Sequence, residues 1–263
     1  MDSVTDLDGR APGAVLVSGS HGGLFSGRAA AAAGVRAAVF NDAGGGRDGA
    51  GVAGLALLAG CGVAAVAVGA DSARIGDGRD VWHNGVTTAC NAVAAECGVT
   101  PGMACRAAVE AMAANDRRVT VPDPPARPAR ALVVGAPVRV WALDSASLVR
   151  STDDGAVLAT GSHGGLPGTD PARALRCRPA LVAFNDAGVG KDGAGTGRLA
   201  VLDDRGVAAV TVAAASARIG DGRSTLVDGV LSRVNGAAAR LGAVRGTALA
   251  ELVDELVGGG GRG

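Results

Sequence analysis

The stretch AVLVSGSHGGL at 14–24 returns as AVLATGSHGGL at 156–166, and that recurrence decides the fold. Each copy opens on an apolar run too short for a helix and closes on a cluster of glycines, the pattern of a buried parallel strand followed by a tight loop. Two more blocks repeat in the same order. AVFNDAGGGRDGAG at 38–51 matches VAFNDAGVGKDGAG at 182–195, and VAAVAVGADSARIGDGR at 63–79 matches VAAVTVAAASARIGDGR at 207–223. The offset is 142 for the first block (14 to 156) and 144 for the others (38 to 182, 63 to 207), so one two-residue insertion separates the copies. The chain therefore reads as a tandem duplication of an α/β unit of about a hundred residues.

Each copy gives the same coarse pattern. The first strand is followed by an Ala-rich helix near 25–33, then by VRAAVF ending at Asn41-Asp42. A glycine loop leads into a helix over VAGLALLAG, and GVAAVAVGA forms a third strand ending at Asp71-Ser72. One longer amphipathic helix is expected from about Asp80 to about Ala95, with a short one at 102–114. The fold class is thus α/β: two tandem, homologous βαβαβα units with parallel sheets joined by right-handed crossovers, packed as a pseudo-twofold pair. Residues 1–118 form the first repeat and 140–258 the second. Between them, 119–139 combine a Pro-rich, extended linker with one or two leading strands drawn from ALVVGAPVRVWAL, and 259–263 form a flexible tail.

Composition narrows the function. The apolar fraction is 48%, yet aromatics make up only 2% and Gly 44 positions, so the interior is built from small residues and close backbones. Twenty-five basic and 25 acidic residues cancel, which argues against a nucleic-acid footprint. No membrane-spanning segment of the roughly eighteen apolar residues required is expected. The acidic N-terminus is unlike a secretory signal, and a cytoplasmic location is expected. The five cysteines make no CxxC pair and none recurs in the other copy, which suits small buried hydrophobes. A homo-oligomer is compatible with all of this.

In an open parallel sheet, ligands bind beyond the carboxyl ends of the strands, and all three repeated motifs fall there. The first holds Ser20, His21, Gly22 and Gly23, matched by Ser162, His163, Gly164 and Gly165. Its glycines let a ligand approach the backbone, and its imidazole suits a general base or metal ligand. His83, the third histidine, has no histidine counterpart. The second motif holds Asn41 and Asp42, matched by Asn185 and Asp186; the carboxylate could orient a histidine or bind a cation. Asp48 and Asp192 suit helix N-caps, and the basic position beside them, Arg47 or Lys191, could meet an anion. The third motif holds Ser72 and Arg74, matched by Ser216 and Arg218; each arginine, just past a buried strand, needs a carboxylate or a ligand anion. Asp77 closes a turn or pairs with Arg74, and Asn91 and Asn235 sit at matching positions where they could bond the loops.

Polar loop residues with no reason to sit in a core point to a site, so a small-molecule enzyme is expected. A hydrolase of a small carboxylate-bearing substrate comes first: Ser72 attacks, His21 takes its proton, Asp42 holds the imidazole and Arg74 anchors the substrate, with the same set in the other copy. No GxSxG elbow supports the serine. A lyase or isomerase would instead set His21 and His163 on opposite faces of one substrate. A non-enzymatic phosphate- or nucleotide-binding module is the third reading, although no GxxxxGK[ST] or GxGxxG occurs in the needed setting. No cofactor is expected; a divalent cation held by His21, Asp42 and Asp77 is compatible with the residues present.

Overall fold

The computed structural model describes residues 1–120 and 128–259. Most of the Pro-rich linker and most of the expected flexible tail lie outside the described residues. The chain forms two compact units: Met1–Arg127 with Val189–Ala194, and Pro128–Gly188 with Gly195–Gly263.

The first unit is a four-stranded sheet in the order β1-β2-β3-β4. Strands β1 (Val15–His21), β2 (Ala37–Asn41) and β3 (Ala64–Val68) run parallel, and β4 (Thr87–Cys90) is antiparallel to β3. β2 and β3 are buried along their whole length, as their unbroken Ala/Val runs require of central strands covered on both faces. Helix α1 (Leu24–Ala32) follows β1 and α2 (Gly54–Gly60) precedes β3. The two helices approach so closely that a Cβ on Gly27 would lie 2.9 Å from Gly54 Cα. This is how a core with few large side chains is filled. Phe40, Leu58 and Leu55 anchor one face of the sheet, and Val39, Val66 and Met112 the other.

The helix expected over 80–95 is instead three elements: α3 (Gly78–Asn84), β4, and α4 (Ala92–Glu96). Gly85 ends α3, for a Cβ there would sit 2.5 Å from Val81 O. The β-branched Val86, Thr87 and Thr88 then favour extended backbone. Asn91 restarts the helix as N-cap, accepting from Ala94 N. Each sheet consequently carries an antiparallel edge rather than being wholly parallel. α5 (Cys105–Met112) completes the unit.

The second unit is a six-stranded sheet, β10-β9-β8-β7-β6-β5. Here β5 (Arg130–Val134) and β6 (Val140–Leu143) are the leading strands. They are followed by β7 (Val157–His163), β8 (Leu181–Asn185), α6 (Arg198–Asp204), β9 (Ala209–Val212), α7 (Gly222–Asp228), β10 (Leu231–Val234), α8 (Gly236–Ala239) and α9 (Leu249–Gly259). β6 to β9 are parallel; β5 and β10 run antiparallel to their neighbours. The segment after β7 holds only the 3-10 turn Pro171–Arg173 where the first unit has α1. Pro167, Gly168 and Pro171 stand where the first unit has Phe25, Ser26 and Ala29 of α1, and the prolines break the helix.

Candidate functional site

The three repeated loops of the first unit do gather at one rim. His21 pairs in register with Asn41, and Asn41 with Val68, at the carboxyl ends of β1, β2 and β3. Gly76 N donates to Gly19 O at 2.7 Å, tying the third loop to the first; in the second unit Gly220 N does the same to Gly161 O at 2.7 Å.

Most of the polar side chains there are committed to backbone. Asn41 is fully buried, donates to Ala73 O at 2.9 Å and accepts from Ala43 N at 2.9 Å. Asn185 repeats both bonds, to Ala217 O and from Ala187 N. Asp42 Oδ1 accepts from Gly44 N and Ala70 N, and its Oδ2 accepts from Thr88 Oγ1. Asp186 likewise accepts from Gly188 N and Ala214 N. Ser72 Oγ donates to Gly69 O at 2.8 Å and accepts from Val86 N at 3.0 Å; Ser216 does so with Ala213 O and Val230 N. Ser20 and Ser162 accept from Val4 N and Ala146 N. Gly22 N and Gly164 N donate to the carbonyls of Asn41 and Asn185. These loops thus have architectural reasons for their residues: without the side chains, buried backbone groups would be left unpaired. Ser72, His21 and Asp42 share no hydrogen bond with one another.

His21 is buried, and its Nδ1 accepts from Gly23 N at 3.1 Å. An accepting Nδ1 puts the proton of the neutral ring on Nε2. Burial pushes its pKa down to about 4. His21 is therefore a neutral imidazole whose basic lone pair is already engaged, suited to donate from Nε2 rather than to take a proton.

Asp48 and Asp192 do not cap helices. They sit inside the 3-10 segments Arg47–Gly49 and Lys191–Thr196 with φ of +55° and +54°, and Ala53 occupies the N-cap of α2. Within the first unit, Asp192 pairs with Arg74 (Nη2 to Oδ2, 2.7 Å) and Lys191 Nζ donates to both oxygens of Asp80 at 3.1 Å. Asp80 also accepts from Arg74 N at 2.7 Å. Burial raises its pKa, but the bonds from Arg74 N, Asn84 and Lys191 outweigh that and hold it below the usual carboxylate range. Arg74 and Lys191 are thus held by carboxylates. Arg218 is exposed, and its backbone N donates to Ser224 Oγ. Asp77 and Asp221 are N-caps of α3 and α7. Among the described residues, no three His, Cys, Asp or Glu side chains gather to hold a metal ion.

One residue that the repeats could not reveal changes the picture. Arg198, at the first position of α6, is 5% exposed, and no carboxylate among the described residues pairs with it. Its Nε donates to Gly165 O and its Nη1 to Ala174 O, both at 2.9 Å, and its guanidinium lies 5.0 Å from the Phe184 ring centre. Nη2 has no hydrogen-bond partner among the described residues. Burial, with the Arg173 charge adding to it, lowers its pKa to about 10. Its backbone N donates to Gly164 O at 2.8 Å, so this cation sits directly behind the His163-Gly164-Gly165 loop. The same position in the first unit is Gly54. Its signal in the sequence is a departure from the repeat, where agreement between the matching blocks points elsewhere.

No known protein family matches the sequence, and comparison with curated proteins and with solved structures finds no match.

Proposed function

We propose that the chain is a small-molecule enzyme of the hydrolase class, the product of a tandem duplication, that binds a small carboxylate-bearing substrate in its second unit at Arg198 and His163. The observation that carries this reading is the buried guanidinium without a counter-charge. A desolvated cation bonded only to neutral carbonyls is costly, and a ligand carboxylate accepting from Nη2 would offset that cost. The exposed Arg173 adds positive potential beside it.

The catalytic roles follow from position at the strand ends. The hydroxyls of Ser72 and Ser216 donate to backbone carbonyls, so water is the nucleophile we favour. His163, 8% exposed at the end of β7, is its base. Asp186, Asn185, Gly164 and Gly165 hold the loop in place, and Arg198 fixes the substrate's distance from the imidazole. In the first unit Gly54 replaces the arginine and His21 is neutral with its lone pair spent; that half serves as scaffold.

A second reading, an anion-binding module without chemistry, draws support from the backbone-committed serines and aspartates. One experiment separates the two. Purified protein is screened against esters, amides and lactams of small carboxylic acids, with His163→Gln and Arg198→Met alongside. For a hydrolase, His163→Gln lowers kcat with binding retained, while Arg198→Met raises KM. Binding lost in Arg198→Met with no turnover of any substrate favours the module; no binding of any carboxylate by the native chain removes both.

A further inference from the structure

Strand β1 is followed by helix α1, whereas after β7 residues 166–177 form an irregular strap with a single 3-10 turn. Residue size explains the difference. In the first unit α1 lies so close to α2 that a Cβ on Gly27 would meet Gly54, and Gly27 N donates to Gly23 O at 3.0 Å. In the second unit Arg198 stands in the place of Gly54, and Gly165 O, the counterpart of Gly23 O, accepts from Arg198 Nε instead. The guanidinium thus takes up a bond that a first helical turn would make.

The strap is tied at both ends and pinned between them. At one end Gly164 N donates to Asn185 O at 2.7 Å. At the other, Gly155 N donates to Arg178 O at 3.0 Å and Arg178 N to Asp154 Oδ1 at 2.7 Å. Within 166–177 the backbone–backbone bonds among the described residues are local: Arg173 N to Asp170 O and Ala174 N to Pro171 O, each 3.1 Å. Two arginines at the ends of α6 reach across to it. Arg198 Nη1 donates to Ala174 O at 2.9 Å, and Arg205 Nη1 to Leu175 O at 3.0 Å. Ala174, Leu175 and Cys177 share one apolar cluster with Leu199 and Leu202 of the same helix. A segment held by side chains and a few apolar contacts, without a ladder, opens at lower free energy than the sheet beside it. Gly168, at φ +66°, supplies a pivot near one end.

We infer that residues 166–177 are a lid that opens to admit the ligand of Arg198 and closes over it. The inference rests on the proposed role of Arg198 as a carboxylate receptor. A side chain that is 5% exposed and bonded to the carbonyls of Gly165 and Ala174 is out of reach of a solute while the strap is in place. Around it, β7, β8 and α6 are held by their own regular hydrogen bonds, so the strap is the part that yields. With the lid shut again, Nη2 donates to the carboxylate while Nε and Nη1 keep their carbonyls. Bound ligand and closed lid therefore favour each other.

Cys177, a buried free thiol in the strap, reports opening without any substitution. The folded full chain is treated with iodoacetamide, with and without acetate or succinate, and the modified cysteines are identified by peptide mass mapping. Cys177 should be alkylated faster than unfolding of the chain, measured in urea under the same conditions, allows. Arg205→Met removes one pin and should speed alkylation about tenfold after correction for its own stability in urea. Saturating carboxylate should slow alkylation of the native chain severalfold. Alkylation of the native chain at its unfolding rate overturns the lid whether or not carboxylates bind, and decides the matter alone if the variant does not fold. A corrected rate that Arg205→Met leaves unchanged overturns it as well. Fast alkylation that Arg205→Met speeds but neither carboxylate slows supports the lid and counts against Arg198 as a carboxylate receptor.

Discussion

Acid sensitivity should come from His21. In the folded chain its pKa is about 4, against 6.5 for a free imidazole, because burial penalises the imidazolium. Protonation would also turn Nδ1 from acceptor into donor and break its bond from Gly23 N. The sign follows from proton uptake. Between about pH 6.5 and pH 4 the unfolded chain binds the proton and the folded chain does not, so stability falls as pH falls through that window. At about pH 5.5 the loss is about 1.4 kcal/mol, and once pH is below the folded value it levels at about 3 kcal/mol. Above about pH 6.5 the term vanishes, since both states are neutral. The perturbation is His21→Gln, whose amide oxygen can still accept from Gly23 N without titrating. Urea unfolding of native and variant chains at several pH values isolates this histidine, because His83, His163 and the carboxylates cancel in the difference. The native chain should lose stability relative to the variant by the stated amounts, and the His21 Cε1–H resonance should titrate near 4. A midpoint near 6.5 with parallel stability curves would instead mark the imidazole as solvated.

Two further outcomes test the loops. Val189 holds φ +65°, a left-handed conformation costly for a β-branched side chain, where the matching sequence block has Gly45; Val189→Gly should therefore stabilise the chain by about 1 kcal/mol in urea unfolding, after the added entropy of the unfolded glycine is subtracted. Asn91 accepts from Ala65 N and Ala94 N and donates to Leu55 O and Val63 O. Because Asn91→Ala strips four buried backbone groups of their partner at once, it should cost about 3 kcal/mol or more by the same assay.

Much of the architecture was legible in the sequence. The unbroken apolar runs at 37–40 and 64–68 could only be covered strands, and the glycine clusters marked where they end. What escaped was set by context. The Val86-Thr87-Thr88 stretch sits in a window whose apolar spacing suits a helix, and only the tight turn at Gly85, where a Cβ would meet Val81 O, together with pairing to β3, makes it a strand. The helix expected after the first strand of each copy is absent after β7, where Pro167 and Pro171 interrupt the segment. For the site, the polar loop residues were located correctly at the sheet rim. Their repetition suits catalysis, yet Asn41, Asp42 and Ser72 each satisfy buried or tightly turned backbone, a demand no linear pattern displays. Arg198 was invisible for the opposite reason: burial of a cation without an acid depends on the fold around it.

That cation carries the proposed function, and its role is tested by isothermal titration of the native chain and Arg198→Met with a panel of small mono- and dicarboxylates. Loss of the buried charge and loss of its bonds to Gly165 O and Ala174 O oppose each other, so the variant should stay folded and within about 2 kcal/mol of the native stability. Saturable carboxylate binding to the native chain and none to the variant is expected. Equal binding by both, or no binding by the native chain together with collapse of the variant, would show that Arg198 is a strut of the fold and not a receptor.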